Sequence, residues 1–323
     1  MKSTSKMFKA LLGGGSLLLA FALGGQAVAQ TLLPNGDFET GDLTSWTPSG
    51  INGGFAVVVA EGTCWSFFDT RGITLNGNHA ANVRSSGPAP TSSVGILTSN
   101  PFVASGGVSF QALSERSSAL QANPVNFEVR ILAVLSGSII SSQVVGTNLI
   151  TMTAGPCGDV PVGPNGTFSQ HTIDTSTVAG QIIQVEFRQN TNFAGSGFFT
   201  LVDDVTLVPL PVSIDIKPGS DPNSINLRSR GVIPVAVLTT ATFDATTVDP
   251  TTVRFGKTGT EATPVQFALK DVDLDGDIDR ILHFKTQNTG ILCGDTSASL
   301  TGQTFDGQMI KGSDSVNTVG CKY

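Results

Sequence analysis

Charge is scarce in this chain: 13% of its residues are Asp, Glu, Lys or Arg. The shortage falls on the basic side, with 18 Lys and Arg against 25 Asp and Glu and a formal net charge of −7. A net-acidic surface repels phosphate backbones, which argues against nucleic acid as a partner. Histidine is nearly absent, and His79, His171 and His283 are scattered. No HExxH, G-x-S-x-G or G-x-x-x-x-G-K-[ST] run occurs, so the corresponding peptidase, hydrolase and nucleotide-binding motifs are missing. Ring platforms for stacking on sugars are short of material, with 2 Trp and 1 Tyr. The 4 cysteines, Cys64, Cys157, Cys293 and Cys321, stand in no CxxC or paired Cys/His spacing, which argues against a zinc site.

Long apolar runs are missing too, apart from a short one at the start. Lys2, Lys6 and Lys9 precede ALLGGGSLLLAFAL and then Ala27-Val28-Ala29. Basic, apolar and small-residue segments in that order mark a secretory signal peptide over 1–29, cut before Gln30. The run is shorter than the about 20 apolar residues of a spanning helix and is broken by glycine. No cysteine sits at the cut for a lipid anchor, and no later segment reads as a membrane span. The expected localisation is therefore secreted, or extracellular. Loss of the three lysines takes the formal charge from −7 to −10.

What is present is β-type. FAVVVA, FEVRILAVL, QIIQVEF, VSIDIK and VIPVAVL are short β-branched runs separated by Gly, Pro and Asn, which read as an all-β protein. SERSSALQAN, near residue 114, has apolar spacing too poor for a helix and reads as a loop. Pro209, Pro211, Pro218 and Pro222 punctuate VPLPVSIDIKPGSDP and place a stiff boundary near residue 210. The division is a domain over 30–209 and a smaller one over 210–323. In an oxidising compartment the cysteines should pair. Of the three possible pairings, Cys64–Cys157 with Cys293–Cys321 keeps each bridge within one domain.

The first domain opens LLPNGDFETGDLTSWTPSG and closes GFFTLVDDVTLVPL. Both ends resemble the galactose-binding-like jelly rolls that include carbohydrate-binding modules of the xylanase and cellulase type. There, an opening N-G-x-F-E-x-G-x-x-x-x-W strand lies near a closing strand that ends D-D-V. Asn35, Gly36, Phe38, Glu39, Gly41 and Trp46 match the opening, and Asp203, Asp204 and Val205 match the closing. The resemblance implies a jelly-roll β-sandwich with Trp46 in the core, and a structural calcium held between Glu39 and Asp203. Strand alternation puts Leu201, Asp203, Val205 and Leu207 on one face, where an inward carboxylate needs a compensating charge. The competing reading is that Asp203 bonds a neighbouring backbone N–H.

The second domain, through IDIKPGSDPNSINLRSRGVIPVAVL, VDPTTVRFG and TFDGQMIKGSDSVNTVGC, is similar to a recurrent uncharacterised domain of secreted bacterial and archaeal proteins. That resemblance implies an accessory role.

The stretch DVDLDGDIDRILHF gathers Asp271, Asp273, Asp275, Asp277 and Asp279 at alternate positions, with Gly276 at the sixth. Calcium takes six to eight oxygen ligands, and a D-x-D-x-D-G loop supplies them as it curls, the glycine permitting the turn. By that geometry Asp271, Asp273 and Asp275 ligate through side chains. Asp277 offers its backbone carbonyl, and Asp279 ligates directly or through water. Position twelve is Leu282, not the glutamate of an EF-hand, and ILHF is a β run. The expectation is thus a strand-flanked Ca2+ loop in a small β-sandwich. A solvated acidic turn with no counter-ion would be better built from Asn, Ser and Gly.

For catalysis, Glu61, Glu115, Glu128 and Glu186 are available, but nothing links them as the carboxylate pair of a glycosidase. Glu128 and Glu186 each lie near an arginine, in FEVRI and QVEFR, and read as surface pairs. Trp65, in CWSFFDT, is a candidate ligand-binding platform, although a buried strand beside a disulfide is the commoner outcome. These features together describe a secreted non-catalytic calcium-binding protein acting in extracellular binding or adhesion, with glycans or cell-surface components as partners. The alternative is a calcium-dependent structural subunit of a matrix, surface layer or filament that self-associates through sandwich edges.

Overall fold

The computed structural model describes residues 31–62, 64–65, 68–69, 73, 75–85, 92–117, 126–152, 167–191 and 198–321. The expected signal peptide and Cys157 lie outside these residues, as do the side chains of Cys64 and Trp65. The protein is all-β: among the described residues there are strands and short 3-10 turns and no α-helix. No helix among them is long and apolar enough to cross a membrane.

Alternation builds the first sandwich. In Asn126–Ala133, Phe127, Val129 and Ile131 are buried while Glu128 and Arg130 turn outward. In Ile182–Thr191, Ile183, Val185 and Phe187 do the same against Glu186 and Arg188. The sheet of these strands runs Ile139–Val144, Asn126–Ala133, Ile182–Thr191, Ser93–Ser99, Trp46–Ile51. Facing it is a sheet ordered Asn148–Met152, Gly107–Ser117, Phe198–Val208, His79–Ser85, Phe55–Ala60. Phe187 is the hub of the core between them, with its ring centroid 5.0 Å from Phe110, 5.9 Å from Trp46 and 6.1 Å from Phe127. Truncating such a buried ring to alanine costs about 3–5 kcal/mol.

Three local expectations change. The opening motif is not a strand: residues 34–45 are mostly turns, with Asn35, Phe38 and Ser45 at positive φ. These turns fold back so that the Trp46 indole donates to the Asn35 carbonyl at 3.0 Å. The loop expected near residue 114 begins as strand, since Ser114–Ser117 finish Gly107–Ser117. The Ser114 hydroxyl lies 2.7 Å from Thr200 Oγ1 on the next strand, a polar pair that apolar spacing does not register. Nor do Asp203 and Val205 share a face. Asp204 adopts φ 49°, the register slips between Asp203 and Thr206, and Val205 and Leu207 turn into the sandwich core. Leu201 packs instead with Val59, Ile73, Leu75, Ala80, Leu113 and Phe199, a separate cluster.

The second sandwich has two 4-stranded sheets. One runs Leu210–Pro211, Met309–Ser315, Ser297–Thr304, Val248–Gly256; the other runs Ile214–Ile216, Val232–Val237, Asp279–Lys285, Pro264–Lys270. Val235, Val237, Phe255, Leu282, Phe284 and Leu300 fill the space between them. The proline-punctuated boundary is itself a short strand, Leu210–Pro211, paired parallel to Met309–Ser315. Met309 reaches the other way: it packs into the first core, and its N–H donates to Ser105 Oγ at 3.0 Å. Cys293 and Cys321 form the expected disulfide, with Cα atoms 5.9 Å apart.

Candidate functional site

The aspartate loop joins two strands, as its β-type flanks require: Pro264–Lys270 enters and Asp279–Lys285 leaves. Leu274 at φ 66° and Gly276 at φ 102° turn the chain sharply between them. That curl brings carboxylate oxygens of Asp271, Asp273 and Asp275 within 4.8 Å of one another. The loop is held by its own backbone. Asp271 accepts from the N–H groups of Leu274 (2.7 Å) and Gly276 (3.2 Å), and Asp275 accepts from Asp277 N–H at 2.9 Å. The Asp273 carboxyl is held above its ordinary range by burial and by the charges of Asp275 and Asp279, against a backbone bond from Asp275. An all-oxygen group of this kind fits a hard divalent cation such as calcium.

Asp277 and Asp279 do not belong to that convergence. Asp279 is buried, and both of its oxygens are occupied, by Thr239 N–H at 2.8 Å and Val272 N–H at 2.9 Å. Its role in this geometry is to close the loop against the neighbouring strand. A carboxylate that spacing could not find is Asp215. Burial raises its pKa, and the charges of Asp314 and Asp273 add to that, which places it in the electrostatic reach of the loop.

A second acidic group sits on the outer face of the first sandwich. Asp203 is fully buried, its Oδ1 accepts from Asp204 N–H at 2.8 Å, and its Oδ2 has no partner. Burial drives its carboxyl up to about 9; the charge of Asp204 adds to this, bonds from Asp204 and Asn76 N–H oppose it, and Glu39 adds a little more. Burial likewise raises Asp204, which accepts from the amides of Asn76 and Gln111, the latter at 2.9 Å. Glu39 lies within electrostatic reach of this pair but is itself engaged: Oε1 accepts from Asn78 N–H (2.7 Å) and His79 N–H (2.8 Å), and Oε2 accepts from the Asn78 amide (3.2 Å). The two carboxylate oxygens of Asp203 thus differ. One bonds a backbone N–H, and the other is a buried acceptor with nothing to accept, the condition a bound cation would relieve.

Beside the acids lies an open depression of about 340 Å³, lined by Leu75, Asn76, Gln111, Thr167 and Phe168. Its amides are those that bond Asp204. No sequence signal could have gathered these five residues, which come from three separated stretches. Trp65, the residue singled out as a platform, contributes backbone to the short strand Cys64–Trp65, and its side chain lies outside the described residues.

Glu128, Arg130, Glu186 and Arg188 are paired side by side on the outer face of the other sheet. Arg130 forks onto Glu128 at 2.8 and 2.9 Å, and Arg188 donates to Glu186 at 2.9 Å. Weaker diagonal contacts of 3.8 and 4.0 Å link the pairs. Burial pushes Glu128 up, but bonds and charge from Arg130 and the charge of Arg188 outweigh it and hold its pKa down. A carboxylate held down as Glu128 is suits structural pairing and not proton donation.

Fold and sites together define an all-β protein of two sandwiches with an acidic centre in each. No protein-family model and no curated protein matches the sequence. Similar solved structures include TmCBM61 in complex with beta-1,4-galactotriose: 17% identity, TM-score 0.35, covering 55% of this chain and 97% of that one. The K1 cleaved adhesin domain of Lys-gingipain from Porphyromonas gingivalis W83 has 16% identity and TM-score 0.35, with 54% and 95% covered. The family 11 carbohydrate-binding module of a cellulosomal cellulase of Clostridium thermocellum has 16% identity and TM-score 0.31, with 57% and 96% covered. All three likenesses are distant.

Proposed function

We propose that this is a secreted, non-catalytic, calcium-binding protein acting in extracellular binding or adhesion, with carbohydrate as its ligand class. The observation that carries the ligand is the open depression of Leu75, Asn76, Gln111, Thr167 and Phe168. A pyranose has apolar C–H faces and a rim of hydroxyls. Phe168, half-buried, suits the first, and two amides and a hydroxyl suit the second. The amides are fixed through Asp204, so little ordering is needed on binding. Calcium is proposed at Asp271, Asp273 and Asp275, where it would neutralise converging carboxylates and fasten two strands. A second calcium is proposed at Asp203, with Glu39 close by. Secretion is supported by the leader-like start and by the Cys293–Cys321 disulfide, a bond of oxidising compartments.

The test is a glycan array with the purified protein in calcium, followed by titration of any hit. Phe168→Ala and Thr167→Ala should each weaken binding by about tenfold, at an unchanged fold by circular dichroism. No hit at millimolar sugar, or hits indifferent to both substitutions, would remove this depression as the binding site.

A further inference from the structure

The strand Pro264–Lys270 is the last of its sheet and, among the described residues, pairs with Asp279–Lys285 alone. Its outer edge therefore presents unpaired backbone N–H and C=O groups. Residues 265–270 are all exposed. Phe267 stands opposite Leu282, and Leu269 opposite Arg280. Directly opposed residues share a face, so both belong to the face that buries Leu282 and Phe284 in the core. Yet Phe267 is 57% exposed and Leu269 51%. The apolar face of the sheet continues past the core into solvent.

Sheet edges are normally guarded by charges, prolines or bulges. Here the guards bracket the strand and do not interrupt it. Pro264 and a register slip between Pro264 and Gln266 stand at one end, and Lys270 with the acidic loop stands at the other. Between them Gln266–Leu269 is regular, uncharged and free of proline.

We propose that this edge pairs with the same edge of a second copy of the chain, antiparallel, about a two-fold axis at Ala268. That register sets Phe267 against the partner's Leu269 on one face, and Leu269 against the partner's Phe267. On the other face Lys270 meets the partner's Gln266, an ammonium against an amide acceptor, and Ala268 meets itself. No like charges oppose one another. Moving the axis to Phe267 would set Lys270 against the partner's Pro264, which has no N–H to give, and would bring the bulge into the ladder. The pattern thus favours itself as partner. Four half-exposed apolar side chains supply on the order of 400 Å² of apolar burial, well below the roughly 1,600 Å² of a standard stable interface. The dimer is accordingly weak and forms where the protein is concentrated. It uses neither the depression at Phe168 nor the carboxylates assigned to calcium, so it stands apart from the proposed function.

Sedimentation velocity from micromolar to millimolar protein tests this. The expected result is a concentration-dependent dimer, weakened more than about tenfold by Phe267→Lys with an unchanged melting temperature. Val144→Lys, on the exposed edge strand Ile139–Val144 of the first sandwich, should leave it intact. Ala268→Cys should crosslink to itself under mild oxidation, because facing Cβ atoms lie about 4.5–5.5 Å apart. Gln266→Cys should crosslink to Lys270→Cys and not to itself. A monomer throughout, a dimer that survives Phe267→Lys, or one abolished by Val144→Lys would overturn the proposal.

Discussion

Asp279 and Thr239 are tied across the base of the aspartate loop by a 2.8 Å hydrogen bond from the Thr239 backbone N–H to Asp279 Oδ1. Val272 N–H engages the other oxygen at 2.9 Å. Asp279→Ala should leave both donors without an acceptor at a buried position, costing about 3 kcal/mol. Urea denaturation in the presence of chelator reads this directly. A loss that appears only in calcium would instead make Asp279 a ligand.

Asp273→Asn should behave oppositely. Asp271, Asp273 and Asp275 converge to within 4.8 Å, and in the proposed reading their mutual repulsion is relieved by the ion. Calcium at about a hundred times its dissociation constant should stabilise the wild type by about 2.7 kcal/mol. Asp273→Asn should lose most of that gain while changing the chelated protein little. Calorimetric titration and melting curves with and without calcium check both arms. Equal responses in the two proteins would place the cation elsewhere.

These two residues show how far the loop was legible. Alternate aspartates followed by glycine predict carboxylates that converge on a curl, and the geometry brings three of them together. The same spacing does not say where the curl ends, and Asp279 already belongs to the next strand, where backbone donors occupy it. Asp215 was out of reach because its link to the loop is spatial. In the first sandwich the runs FEVRILAVL and QIIQVEF read as strands with Glu128 and Glu186 on the surface, and the structure puts Phe127, Val129, Ile131 and Phe187 on the opposite, buried face, as a period of two requires. Alternation failed after Asp203. A single non-glycine residue at positive φ, Asp204, reverses the faces downstream and has no compositional mark. The turns at Asn35, Phe38 and Ser45 escaped notice for the same reason.

The bridge between Cys293 and Cys321 joins residues 28 apart and holds the chain end beyond Asn317–Val319 to a loop of the second sandwich. Replacing both cysteines with serine should destabilise that domain by about 3 kcal/mol, chiefly by freeing the unfolded chain. Thermal unfolding of the double variant against wild type, both without reductant, reads the effect. An unchanged melting temperature would show that the strand pairing of Asn317–Val319 with Ser224–Asn226 suffices to hold this end.

Asp203 offers a test by pH. Burial, the Asp204 charge and a smaller contribution from Glu39 hold its folded pKa at about 9, against roughly 3.9 in the unfolded chain. Between those values the folded state keeps a proton that the unfolded state has released. Stability from this group is therefore full below the unfolded value and falls as pH rises, by up to about 1.4 kcal/mol per unit. Asp204 is raised as well and acts in the same direction. In chelated protein, Asp203→Asn should remove this loss, so the variant gains on wild type steadily from about pH 5 to about pH 8. Calcium should restore wild type at the upper end and leave the variant behind, because only the carboxylate can answer the ion. If chelated wild type and variant keep a constant difference across that range, Asp203 is ionised in the folded protein and a compensating charge already stands against its Oδ2.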